Sequence, residues 1–195
     1  MERKELTQRI NAWAEENKDY IENFASELLK IDSRNLPPKG NEKQCQLRFA
    51  EEMKKIGGDV EVYDVSKVEG LTEHPAYFKS RDYTDRPNTI SAFFGEEKGH
   101  SIMFSGHMDT VSFGNEDDWT DSPLSGKVKD GKLYGRGSYD MKGGLAAAAM
   151  AVKCLKDLEV PVAGPVYVET VIDEEYGGAM GTLAGRIHGP NPDNT

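Results

Sequence analysis

Three short runs, residues 89–94, 101–105 and 166–172, are apolar over most of their length instead of alternating apolar with polar. Runs of that length read as strands buried on both faces, and such a sheet needs helices to cover it. The rest of the chain supplies them. The opening stretch to about Ile31 reads as helix, with Tyr20, Ile21, Phe24, Leu28 and Ile31 on one stripe. Pro37, Pro38 and Gly40 force a break. A second helix carries Cys45, Phe49, Met53 and Ile56 at helical spacing and stops at Gly57 and Gly58. Residues 60–65 are strand-like, and 67–88 read as a long surface connection. A polar turn at 96–100 separates two of the apolar runs, 114–132 is turn-rich, 143–158 is an alanine-rich helix, and 179–187 begins another. Helices alternating with strands predict an α/β sandwich around a mixed sheet. No repeat or low-complexity segment is visible.

Three polar clusters interrupt this pattern, and two of them lie where an apolar run ends. They are SGHMDTV after 101–105, YGRGSYDMKGG before the alanine-rich helix, and DEEYGG after 166–172. In open α/β sheets, ligands bind beyond the carboxyl ends of the strands. His107 and the acids at 173–175 are therefore expected on one rim, with Asp140 on the loop that opens the next helix. One imidazole among several carboxylates is a mixed nitrogen and oxygen set, suited to zinc or manganese more than calcium. Asp140 has two oxygens and can bridge two cations. Asp109, two residues past His107, can accept the second imidazole N–H and fix the tautomer. Glu174 and Glu175 cannot both point the same way from an extended segment. One can bind metal while the other serves as general base.

Composition narrows the partners. The 195 residues carry a formal charge of −10, which opposes binding to nucleic acid or anionic lipid. The first twenty residues are charged without an apolar core, and no stretch is long and apolar enough to span a bilayer. Cys45 and Cys154 form no CxxC pair, so a disulfide framework is not expected and a reducing cytoplasm is the simplest compartment.

The clusters together resemble the three motif blocks of one family: SGHMDTV, W-x-D-S-P-x-S-G-x-V-x-D-G-x-L-Y-G-R-G-x-x-D-M-K-G-G, and DEEYGG. It is the family of dinuclear zinc hydrolases that contains acetylornithine deacetylase, succinyl-diaminopimelate desuccinylase, aminoacylase and carboxypeptidase G. The flanks ELLKIDS, the Pro-Pro-x-Gly-Asn-Glu turn, RPNTI and GGAMGTLAG resemble it too. Spacing agrees, with 33 residues from His107 to Asp140 and 35 from Asp140 to Glu175. The resemblance implies a mixed-sheet sandwich of the zinc exopeptidase (phosphorylase/hydrolase-like) type, here incomplete. It implies that His107 binds one zinc, Asp140 bridges two, Glu175 binds the second, Glu174 is the general base and Asp109 orients His107. Cobalt or manganese could replace zinc. The peptide after Asp140 is expected to be cis, with Gly143 and Gly144 letting the helix pack closely behind it.

The resemblance also implies what is missing. The family needs a further carboxylate ligand in an E-P-T type motif and a second histidine late in a longer chain. Residues 1–195 are thus expected to be the N-terminal part of a catalytic domain whose remainder, with a lid and dimerisation domain, lies outside them. The parent is expected to be a homodimer through that lid, hydrolysing an amide bond in N-acyl amino acids or small peptides. This chain is expected to bind at most about one zinc without turnover. The competing readings are a non-catalytic fragment and a binding module that reuses the fold; the intact set with Glu174 speaks against the module. Strands 89–94 and 166–172 are expected to be the ones left exposed.

Other polar residues read plainly. His74 and His100 lie in polar loops, and His188 falls outside the pattern. Trp119 and Tyr134 read as packing residues, Asp173 as structural, and Asp117, Asp118 and Asp121 as an exposed acidic face. Gly135 and Gly137 are not a dinucleotide fingerprint, because no GxGxxG follows a strand there.

Overall fold

The computed structural model describes residues 2–79, 81–95 and 99–195. The opening stretch forms two helices rather than one, α1 (Arg3–Glu16) and α2 (Lys18–Lys30). They part at Asn17, whose side-chain amide donates to the Trp13 carbonyl at 2.8 Å. Such local bonding competes with helix propagation. Phe24 and Leu28 of the expected stripe are buried, Ile21 and Ile31 pack partly against them, and Tyr20 stays at the rim.

The Pro37–Pro38 bond is cis, in the turn between the two-residue strands β1 (Asn35–Leu36) and β2 (Lys39–Gly40). Helix α3 (Lys43–Lys55) buries Cys45, Phe49 and Met53. It ends in a Schellman motif: the Gly57 N–H reaches the Lys54 carbonyl and the Gly58 N–H the Met53 carbonyl. Gly57 lies at φ +85°, so the glycine pair stops the helix as expected. Strand β3 (Asp59–Asp64) follows, then a connection to β4 (Pro87–Phe93) and β5 (Ile102–His107). Of the polar turn expected at 96–100, residues 96–98 lie outside the described residues. The turn-rich stretch holds a hairpin of β6 (Lys127–Lys129) and β7 (Lys132–Tyr134). Helix α4 (Lys142–Asp157), β8 (Val166–Val171) and α5 (Ala179–His188) complete the order.

The main sheet is mixed, as expected, with strand order β3-β4-β8-β5. Strand β4 runs antiparallel to β3 and β8, while β5 runs parallel to β8. One face packs Phe93, Val166 and Val168 against Leu28, Phe49, Leu145 and Ala149 from α2, α3 and α4. The other packs Ile90 and Met103 against Met180 and Ala184 of α5. Burying each of the larger side chains contributes roughly 1.5–3 kcal/mol.

Two expectations change here. The connection 67–88 is more than surface chain: Val68, Leu71 and Tyr83 enter the second apolar cluster, and Arg86 is 1% exposed. Helix α5 has ten residues and spans only about 15 Å. The connection covers sheet that the helix cannot reach. Strands β4 and β8, expected to lie exposed, are the two inner strands; the edges are β3 and β5. As an edge strand, β5 leaves Ile102 and Phe104 each 39% exposed instead of buried. Part of its free edge meets the Asn194 carbonyl, which accepts the Met103 N–H at 2.9 Å. No described helix is long and apolar enough to cross a membrane.

Candidate metal centre

The parallel pairing of β5 with β8 sets His107 opposite Val171. Two residues past Val171 the chain turns at Asp173, which takes a left-handed φ of 64°. A short 3-10 turn then carries Glu174, Glu175 and Tyr176. His107, Glu174 and Glu175 thus share one rim because two neighbouring strands end together. Asp140 arrives from the loop before α4, and the Asp140–Met141 peptide is cis. Lys142, buried behind it, donates to the carbonyls of Leu28 and Ile31 at 2.9 Å each, at the end of α2. Gly143 passes so close to the Ser138 carbonyl that an added Cβ would lie 2.3 Å from it. Gly144 has ordinary space around it.

His107 Nε2 lies 2.9 Å from Asp140 Oδ1 and 3.7 Å from Glu174 Oε2. One donor atom each from His107, Asp140 and Glu175 falls within 4.8 Å of the others. A cavity of about 340 Å³, lined by Val111, Arg136, Tyr139, Asp140 and Glu175, opens beside them. Burial raises the Glu175 carboxyl above its usual range; His107 works the other way, and the acids at 140, 109 and 174 raise it further. A cation among these groups would relieve that crowding. One imidazole nitrogen and two carboxylates in reach of a single point fit a divalent transition ion.

Asp109 is placed differently from the expectation in one respect. His107 Nδ1 sits 2.9 Å from the Asp109 backbone carbonyl, and 3.6 Å from its carboxylate. The carboxylate instead accepts the backbone N–H groups of Glu174 and Glu175, both at 3.1 Å, and the Asn35 side-chain amide at 2.8 Å. Burial alone would raise its pKa, but the nearby His107 ring and bonds from Asn35 and the Glu175 N–H hold it below the usual range. For His107 itself, burial opposes the charged form. The Asp109 and Asp140 carboxylates outweigh burial and bring its pKa up to about 9.

Sequence reasoning left Asp173 as a structural residue and did not single out its partners. Asp173 is 2% exposed and accepts from Arg81, Asn35 and Tyr83 at 2.9, 3.0 and 2.9 Å. Arg86 pairs with buried Glu42, its Nε 3.0 Å from Glu42 Oε2. The only sequence signals were the Pro-Pro-x-Gly-Asn-Glu turn and RPNTI, which hold Glu42 and Arg86. His188 lies elsewhere, 2.8 Å from Glu61, and His74 and His100 are exposed. The Trp119 indole donates to the Phe113 carbonyl, and its ring lies under the Arg136 guanidinium. Tyr134 is 40% exposed.

Residues 103–194 match peptidase family M20/M25/M40. Over 115 residues the chain is 38% identical to succinyl-diaminopimelate desuccinylase 2 of Ruegeria sp. (strain TM1040), covering 58% of this chain and 29% of that protein. Over 171 residues it is 28% identical to N-formyl-4-amino-5-aminomethyl-2-methylpyrimidine deformylase of Bacillus subtilis (strain 168), covering 87% and 36%. The fold matches human carnosine dipeptidase 1 with a TM-score of 0.69 at 20% identity, over 92% of this chain and 37% of that one. The chain therefore spans about a third of the length of these relatives. Motif blocks, curated relatives and mixed sheet point the same way, and residues 103–194 are similar to peptidase family M20/M25/M40.

Proposed function

We propose that the chain carries metal ligands and the general base of a metal-dependent amide hydrolase that acts on N-acyl amino acids or small peptides. The observation that carries this reading is the gathering of His107, Asp140 and Glu175 donors within 4.8 Å, with Glu174 beside them. The relatives' names describe a desuccinylase, a deformylase of an N-formyl compound and a dipeptidase. Cleavage of a C–N amide bond is the chemistry common to those names.

In this reading His107, Asp140 and Glu175 would hold zinc, His107 toward one ion, Glu175 toward a second and Asp140 toward both, with cobalt or manganese as substitutes. Bound zinc would supply Lewis acidity, lowering the pKa of water and polarising the amide carbonyl. Glu174 takes the proton of the attacking water on a carboxylate oxygen and passes it to the leaving nitrogen. Asp109 holds His107 through its backbone carbonyl and the Glu174–Glu175 turn through its carboxylate. Three protein donors suit about one zinc. We place the remaining ligands, a lid and dimerisation domain and the rest of the catalytic domain in the share of such relatives that this chain does not match.

Zinc content after dialysis tests the reading. About one zinc per chain is expected, lost in His107→Ala and kept in Glu174→Ala, with no hydrolysis of N-acyl amino acids by the 195-residue chain alone. A chain that retains no zinc would overturn the reading. Two tightly held ions, or zinc-dependent turnover, would show that these donors suffice.

A further inference from the structure

The turn that bears Glu174 and Glu175 is not a shape its backbone holds cheaply. Asp173 sits at φ 64°, in the left-handed region that residues with a Cβ rarely adopt. The turn is short, a 3-10 stretch closed by the Gly177 N–H bond to Glu174 and the Gly178 N–H bond to Asp173. Something outside must hold it. Asp109 takes the two glutamate N–H groups, but Asp109 and Asp173 are both buried carboxylates of the same cluster and repel each other.

Asn35 and Arg81 answer both problems. One Asn35 amide nitrogen donates to Asp109 at 2.8 Å and to Asp173 at 3.0 Å, and so joins the loop after β5 to the turn after β8. The Asn35 backbone N–H also reaches the Thr110 carbonyl at 2.8 Å, which ties its strand to the same loop. Arg81 donates to Asp173 at 2.9 Å and to the Asn35 side-chain carbonyl. Its guanidinium also lies 4.4 Å from the centre of the Tyr176 ring. Arg81 therefore grips both ends of the turn. It does so although its Nε and Nη1 are buried without a partner among the described residues, which leaves their desolvation uncompensated.

We propose that Asn35 and Arg81 are positioning residues that set the Glu174–Glu175 turn against His107 and Asp140. Neither reaches the cavity; both act through Asp109 and Asp173. The inference rests on the proposed metal site for its functional meaning, while the geometry of the turn can be read without metal.

Two measurements on the same chain separate these levels: NMR exchange rates of the Glu174 and Glu175 amides without metal, and zinc affinity by chelator competition. Asn35→Asp keeps the shape but removes the donor, Arg81→Met removes the charge, and Arg81→Lys keeps it. Val152→Ala, in the opposite core, serves as a control for lost stability alone. Asn35→Asp and Arg81→Met are expected to speed both amides and to weaken zinc by about tenfold or more. Arg81→Lys is expected to recover part of each, and Val152→Ala to change neither. If the amides stay as protected in these variants as in the parent, or loosen equally in Val152→Ala, the proposal is overturned. Should the two harsher variants fail to fold, Arg81→Lys decides by the same readouts. Absence of zinc binding in the unaltered chain would defeat the functional reading, while the exchange rates still decide the positioning role.

Discussion

His107 is pulled two ways, since burial favours the neutral ring and the Asp109 and Asp140 carboxylates favour the charged one. The carboxylates win, and its pKa of about 9 lies above the 6.5 of an unfolded histidine. Protonated His107 therefore stabilises the metal-free fold below pH 6.5, and that contribution fades as pH rises through 9. Its size is on the order of 2–3 kcal/mol. Thermal melts in chelator are expected to fall by roughly 5–10 °C between pH 6.5 and 9, and His107→Gln to flatten that slope. An unchanged melting temperature across this range would contradict the geometry around the imidazole. At this scale, His107, Asp140, Glu174 and Glu175 were legible because they sit in local motifs at strand and helix ends. Asn35 and Arg81 were not, because their role exists only in hydrogen-bond partners 46 to 138 residues away for Asn35 and 46 and 92 for Arg81. No local pattern announces a hydrogen bond over that distance.

Helix α4 shows what one element contributes to the site. Its start presents Asp140, and its closeness to the preceding loop depends on Gly143 lacking a side chain beside the Ser138 carbonyl. The obstructing atom is backbone and cannot swing aside. Gly143→Ala is therefore expected to destabilise by about 1–3 kcal/mol despite alanine's better helix propensity. It should also weaken zinc, whereas Gly144→Ala, where an added Cβ has room, should be neutral or slightly stabilising. Denaturant unfolding of the pair checks this, and equal effects at both positions would refute it. Periodicity placed α3, α4, α5, β4 and β8 to within a residue or two. It missed the division between α1 and α2, since Asn17 breaks the helix through a side-chain bond that leaves the hydrophobic stripe unchanged. It also read the connection to β4 as surface chain, because Val68, Leu71 and Tyr83 are spaced by turns and follow neither helical nor strand period.

Across the whole molecule, the sheet divides the apolar interior in two and leaves β3 and β5 at its margins. The β5 margin is the more exposed to association, because Ile102 and Phe104 project beside an edge that Asn194 meets only in part. Edges of this kind pair with other chains. Light scattering behind size-exclusion chromatography is expected to show concentration-dependent association that Phe104→Lys reduces. A strict monomer at all concentrations, with or without that change, would argue against it. The mixed sheet was legible as a class, but which strands lie inside was not, because strand order follows from crossovers that hydrophobic runs do not encode. The connection between β3 and β4 has a further consequence. Residues 72–76 are exposed, while Leu71 and Tyr83 on either side are sunk in the second core. A single cut there would separate β3 from β4 along the chain yet leave them paired, with α2 still packed on α4 and α3 on β4. The protein is in effect already divided into two complementing pieces, which separate expression and mixing ought to reassemble.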